Sequence, residues 1–204
     1  TSSLLQAQVL TEWVESKPVP DSTRIALGYP VPIAVDTAEP FDGFRTYAGL
    51  HMRHQDLAAT TPWVHPEAVG LTRHGRTIWA YRLGDDDLLT VNGLPEAATL
   101  TNGGIHAREW QTPEVVTGIL ELIATHESDQ YFYDYLRDNV NMIVIPSLNI
   151  DGFMQTQRYP TLNYLQTDPD DPDFSPRDGR MRRKNMLNTD EDLYTTVDHL
   201  NGVD

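Results

Sequence analysis

Apolar positions along the chain change their period several times, and each change predicts an element. Leu4, Leu5, Val9, Leu10, Trp13 and Val14 recur at helical spacing, with Ser3 and Gln6 placed as a capping box, which predicts an amphipathic helix from about Leu4 to Glu15. From Lys17 to Gly43 the period lapses. Pro18, Pro20, Pro30, Pro32 and Pro40 fix φ and remove N–H donors there, so an extended connecting segment is expected. Phe44, Tyr47, Ala48 and His51 then share a helical face, with Asp42 as candidate cap and Thr61-Pro62 as the stop. His51 and His54 stand three apart on that helix. Histidines on a helix flank are more often solvated or core-edge groups than ligands.

Further along, Val69 to Thr72 and Thr77 to Leu83 read as hairpin strands about an exposed turn, Arg73-His74-Gly75-Arg76, because Ile78 and Ala80 alternate with Trp79 and Tyr81. Asp85-Asp86-Asp87 reads as a solvated loop. Ala98 to Thr101 predicts another strand, followed by Gly103-Gly104, then Thr112 as N-cap, Pro113 at the first helical position and Glu114 in the first turn. Val115, Val116, Ile119, Leu120, Leu122 and Ile123 give that helix a broad apolar stripe suited to covering a sheet. Tyr131, Phe132, Tyr135 and Leu136 predict another helix whose aromatics face a core. Met142-Ile143-Val144-Ile145 is a short continuous apolar run, the pattern of a central strand buried on both faces, and Asn149 to Phe153 leaves its carboxyl end.

Composition narrows the function classes. A chain of 204 residues without internal repeats favours one globular domain. Its formal charge of -15 opposes nucleic acid and anionic membrane surfaces by repulsion, so neither is expected as a partner. The absence of cysteine excludes disulfides and thiolate chemistry. No window reaches 18 uninterrupted apolar residues, and Thr1-Ser2-Ser3-Leu4 lacks the basic start of a signal peptide, which suggests a soluble and already processed chain.

Candidate chemistry concentrates at the glycine turn. His106 and Glu109, an imidazole and a carboxylate three residues apart, can converge on one zinc ion and leave positions for a third ligand and water. They follow a strand and precede a helix, and open α/β sheets bind ligands at the carboxyl ends of their strands. Farther on, Asp168-Pro169-Asp170-Asp171-Pro172-Asp173 lacks the glycine and glutamate of a calcium loop and reads as a solvated acidic segment. Arg177, Arg180, Arg182, Arg183 and Lys184 put five cations into eight positions of an acidic protein; pairing with the acidic loops is the plain reading, a functional role the other.

Gly104-Ile105-His106-Ala107-Arg108-Glu109-Trp110 resembles the zinc-binding signature of the carboxypeptidase A/B-type metallocarboxypeptidases. Asn149-Ile150-Asp151-Gly152-Phe153 is similar to that family's Asn-Pro-Asp-Gly-Phe, Arg180-Met181-Arg182-Arg183-Lys184-Asn185 to its Arg-x-Trp-Arg-Lys, and Gly202-Val203-Asp204 to the start of its Gly-Val-Asp-x-Asn-Arg-Asn. The resemblance runs from about Phe41 to Asp204 and implies an α/β fold, a mixed and mostly parallel sheet flanked by helices, incomplete in this chain. Residues 1–40 would then form an N-terminal helix and extended segment, and residues 41–204 the first part of a catalytic domain. It also implies zinc held by His106 and Glu109, substrate binding by Arg108, polarisation of the scissile carbonyl by Arg183, and a hydrogen bond from His106 to Asp204 that fixes the tautomer. Position 182 is Arg where many relatives have Trp.

The implied activity is hydrolysis of C-terminal peptide bonds in a secreted or periplasmic enzyme whose partners are peptide or protein C-termini. Residues matching the third ligand, the carboxylate-gripping Asn-Arg pair and the general-base Glu would follow Asp204; His199 precedes that motif and does not qualify. As an isolated piece the chain is therefore expected to be inactive, to bind zinc poorly and to fold poorly without the remaining half of the domain, which another chain could supply. The alternatives are a non-catalytic peptide-binding remnant of the fold and a related zinc amidase or deacylase.

Overall fold

Strand β4 (Val140–Ile145) is the element against which the others are placed. The structure is a computed structural model and describes residues 43–125, 129–157, 182–186 and 202–204. In chain order it contains α1 (Tyr47–Thr60), β1 (Val64–Leu71), β2 (Thr77–Leu83), β3 (Ala97–Asn102), α2 (Gln111–Thr125), α3 (Gln130–Asn139), β4 and α4 (Ile150–Gln157). The four strands make one sheet in the order β1-β2-β4-β3.

The sheet is mixed and flanked by helices, as expected, but a parallel majority is absent among the described strands. β2 runs antiparallel to both β1 and β4, and only β3 and β4 are parallel. The cause is connection length: a short turn reverses the chain between β1 and β2, whereas the path from β3 through α2 and α3 is long enough to bring β4 back in the same direction. That parallel pair aligns Asn102 with Ile145, so two carboxyl ends finish side by side.

Met142 and Val144 are buried on the face of β4 that meets Leu57 of α1 and Val116 and Leu120 of α2, together with Tyr81 and Leu83 of β2. Ile143 and Ile145 on the other face are half-buried, so the central strand is fully covered on one face. A second cluster joins Tyr47, Ala48 and Leu50 of α1 to Trp110, Ile150, Phe153 and Met154. At about 1.5–3 kcal/mol for each large apolar side chain removed from water, these two clusters fix α1, α2 and α4 on the sheet.

Several local expectations change in three dimensions. The cap of α1 is Thr46, whose hydroxyl oxygen accepts the Gly49 N–H at 3.2 Å; Asp42 lies outside the described residues. His51 and His54 are core groups. His51 stacks on Tyr47 with ring planes 3° apart, and His54 Nε2 lies 2.7 Å from Thr117 Oγ1. Because the Thr117 hydroxyl donates to the Pro113 carbonyl, His54 is the donor and carries its proton on Nε2. The hairpin starts earlier than expected, at Val64, with its register shifting between Ala68 and Gly70. Its turn is not wholly exposed, since Arg76 is buried.

On α3 the aromatics do not form a core face. Tyr131, Phe132 and Tyr135 are exposed, Tyr133 is the buried ring, and Leu136, three residues on, packs against the cluster that holds Met142 and Val144. Among the described residues no helix is long and apolar enough to cross a membrane. The helix expected over Leu4 to Glu15, the proline-bearing segment up to residue 42, the boundary at residue 40, the acidic loop at 168–173, and Arg177 and Arg180 lie outside the described residues.

Candidate metal centre

The site is built where β3 and β4 end. The chain continues pairing after the strands stop: Gly103 N–H donates to the Ile145 carbonyl at 2.9 Å, Leu148 N–H to Gly103 at 3.0 Å, and Asn149 N–H to Gly104 at 2.9 Å. The glycines are required. A Cβ on Gly103 would stand 2.7 Å from the Pro146 carbonyl oxygen and 2.9 Å from that of Thr112, and Gly104 has φ +61°. Thr112 is not an N-cap. Helix α2 begins at Gln111, and the Thr112 hydroxyl accepts the Gly104 N–H at 2.9 Å while donating to the Glu109 carbonyl at 2.9 Å.

On this loop His106 Nδ1 lies 3.0 Å from both carboxylate oxygens of Glu109. Two atoms each ~2.0–2.2 Å from one zinc ion stand about 3.4 Å apart at the tetrahedral angle, so this separation is compatible with a shared ion. The chemistry of the pair, imidazole with carboxylate, fits zinc. Among the described residues no group of three or more His, Asp or Glu side chains is arranged to hold a metal.

Arg183 closes the other side of the imidazole. Its Nη2 lies 2.7 Å from His106 Nε2, its Nη1 3.6 Å from Glu109 Oε1, and its Nε donates to Asp204 Oδ1. A guanidinium has no lone pair to offer, so Nε2 accepts and the His106 proton sits on Nδ1, facing Glu109. The expected His106–Asp204 hydrogen bond is therefore not made. Asp204 Oδ1 is 3.8 Å from Nε2, with the cation taking both acceptors. Arg108 is half-buried on the same loop and takes no part in this cluster.

The motifs that lie far apart in sequence meet here through backbone contacts. Ala107 N–H donates to the Arg183 carbonyl at 2.9 Å. Asn185 pairs with Val203 through both its N–H and its side-chain carbonyl, at 3.2 and 2.8 Å, which brings Asp204 to the site. Arg182 is buried and donates to the Asn185 carbonyl at 2.8 Å, so a long side chain fills the position where the resembled pattern has Trp. Asn149 donates through Nδ2 to the Ile105 carbonyl at 3.2 Å, next to His106.

Two supports escaped sequence reasoning. Asp151 accepts from Arg76 Nη1 at 2.6 Å, Thr72 Oγ1 at 3.0 Å and His74 N–H at 3.2 Å, tying the hairpin turn to α4. Trp110 Nε1 donates to Thr156 Oγ1 at 2.8 Å, and that oxygen lies 3.1 Å from the Ala107 carbonyl. The signal for the first was the Asn149-Ile150-Asp151 stretch that opens α4 shortly after β4 ends; the second carried none. A cavity of about 390 Å³ opens beside the cluster, walled by Ile78, Ile105, Leu148, Ile150 and Met186 and reaching Asp204.

The pattern of the zinc carboxypeptidase family matches residues 51–204. Carboxypeptidase B of Astacus astacus is 37% identical over 90 residues, 44% of this chain and 27% of its own length. An inactive metallocarboxypeptidase, ecm14, of Talaromyces marneffei is 33% identical over 86 residues, 42% of this chain and 14% of its own. The fold matches the crystal structure of carboxypeptidase A from Helicoverpa armigera with a TM-score of 0.52 at 20% identity, over 91% of this chain and 36% of that one. The chain spans less than a third of the length of the curated relatives it matches. With three quarters of its residues inside the family pattern and its motifs converging at the ends of β3 and β4, the chain belongs to the zinc carboxypeptidase family.

Proposed function

We propose that the protein carrying this chain is a zinc-dependent carboxypeptidase that hydrolyses C-terminal peptide bonds. The observation that supports it most directly is the 3.0 Å approach of His106 Nδ1 to the Glu109 carboxylate beside the Arg183 guanidinium. His106 through Nδ1 and Glu109 through its carboxylate would hold zinc, which when bound acts as a Lewis acid and lowers the pKa of water. For Nδ1 to ligate, the His106 proton must move to Nε2. Asp204 Oδ1, 3.8 Å away, is the acceptor in reach once Arg183 turns toward substrate. The fixed fork of Arg183 then donates to the oxygen on which charge develops, and a permanent cation suits that task. Arg108 binds substrate from the same loop. Peptide C-termini are the substrates, further sequence of the domain supplies the remaining ligand and base, and the setting is secreted or periplasmic.

The test is metal content and peptide cleavage of the full-length protein with free and C-terminally blocked peptides. Glu109→Ala is expected to lose zinc; Arg183→Ala is expected to keep zinc and lose turnover, since it acts on charge present only in the transition state. Zinc retention in Glu109→Ala, or unchanged turnover in Arg183→Ala, overturns these roles. A second reading, a peptide-binding relative without turnover, rests on the likeness to inactive metallocarboxypeptidases. It is supported instead if the wild-type protein binds peptides with free C-termini and cleaves none.

A further inference from the structure

We propose that Thr112 sets the separation of His106 and Glu109, a positioning residue that touches neither metal nor substrate; the inference rests on the zinc reading above. The six residues from Gly104 to Glu109 leave the sheet edge and enter α2 without a ladder of their own, so their shape depends on ties at each end. One oxygen supplies both. Thr112 Oγ1 accepts the Gly104 N–H at the start of the loop and donates to the Glu109 carbonyl at its end, each at 2.9 Å. Its backbone N–H adds a second bond to the same carbonyl at 3.0 Å.

The middle of the loop is held differently. Asn149 Nδ2 holds the Ile105 carbonyl, the Arg183 carbonyl holds the Ala107 N–H, and Glu109 N–H donates to His106 at 3.2 Å. None of these joins the two ends. Gly104 is buried, so removing the hydroxyl leaves its N–H without this partner in a largely dry setting. The loop then has to shift, and it carries both candidate ligands. Support of this kind around a metal typically changes affinity by about 10–100-fold when lost.

Thr117 provides the control. It lies on the same helix, is buried, and its hydroxyl likewise accepts one hydrogen bond, from His54, and donates another, to Pro113, but it spans no part of the loop. In the full-length protein, zinc affinity by chelator competition and thermal stability are measured for wild type, Thr112→Val, Thr112→Ser and Thr117→Val. Thr112→Val is expected to weaken zinc by about 10–100-fold, Thr112→Ser to restore it to within about threefold, and Thr117→Val to lower stability with zinc affinity within about threefold of wild type. If Thr112→Val does not fold, Thr112→Ala removes the same hydroxyl with less bulk and is judged by the same affinity. Equal zinc loss in the Thr112 and Thr117 variants, or none in either Thr112 variant lacking the hydroxyl, overturns the inference. A wild-type protein that takes up no zinc overturns the zinc reading itself.

Discussion

Replacing Asp151 tests what holds the hairpin to the site. Its carboxylate and the Arg76 guanidinium retain only 5% and 10% of their side-chain exposure, and the carboxylate accepts from Arg76, Thr72 and the His74 backbone. Arg76 Nε is buried without a hydrogen-bond partner, so Nη1 at 2.6 Å carries the compensation for a desolvated charge. Asp151→Ala leaves that cation buried beside His74 Nδ1, 3.3 Å from Nη1, an imidazole nitrogen with no negative charge to balance it. Breaking one side of such a pair costs about 3–5 kcal/mol, whereas replacing both partners by apolar residues of similar volume is often close to neutral. Desolvation therefore decides the outcome. Asp151→Ala should lower stability by about 3–5 kcal/mol, and Arg76→Met with Asp151→Leu should lose less than Asp151→Ala alone. Urea unfolding of the full-length protein at neutral pH reads both, and the single-variant loss should change little with salt because a buried pair is weakly screened. A single-variant loss below about 1 kcal/mol, or a double variant as unstable as the sum of its singles, would refute the argument.

Gly103→Ala should cost about 2–3 kcal/mol and weaken zinc binding, since the new methyl would meet two backbone carbonyl oxygens, of Pro146 and Thr112, that cannot swing away; an unfolding midpoint equal to wild type would contradict it. Acid should unfold the domain through its helix histidines. Burial pushes the His51 imidazole down to about 4, and burial, then the charges of His51, Arg45 and Arg53, pushes His54 well below its ordinary value. Both are then neutral when folded, while the unfolded chain takes protons near pH 6.5, so their contribution is complete above pH 6.5 and drains as the pH falls toward 4. For His51 that amounts to about 3 kcal/mol, and His51→Phe should flatten the slope of stability between pH 6.5 and 4; an unchanged slope would count against it.

What the sequence made legible was local. Strand β2 begins and ends at the expected Thr77 and Leu83, β3 differs from expectation by one residue at each end, and β4 is central. The His106–Glu109 pair was equally readable, because the glycines and both side chains lie within one loop. The groups that were misread are those whose partners arrive from elsewhere. His51 and His54 read as flank residues until Trp79, Tyr81 and Thr117 cover them. Arg76 read as part of an exposed turn, and its partner stands 75 residues away. Thr112 shows the mechanism of such an error. A threonine before a proline satisfies every local condition for an N-cap, and the choice between capping and any other bond depends on what competes for its oxygen. Pairing of β3 with β4 carries Gly104 into the interior, where an unmet N–H costs about 1–3 kcal/mol, whereas a first-turn N–H near a helix start can still find water. The hydroxyl is drawn to the more costly vacancy, so a residue that looked like helix punctuation instead closes the loop that carries both candidate ligands.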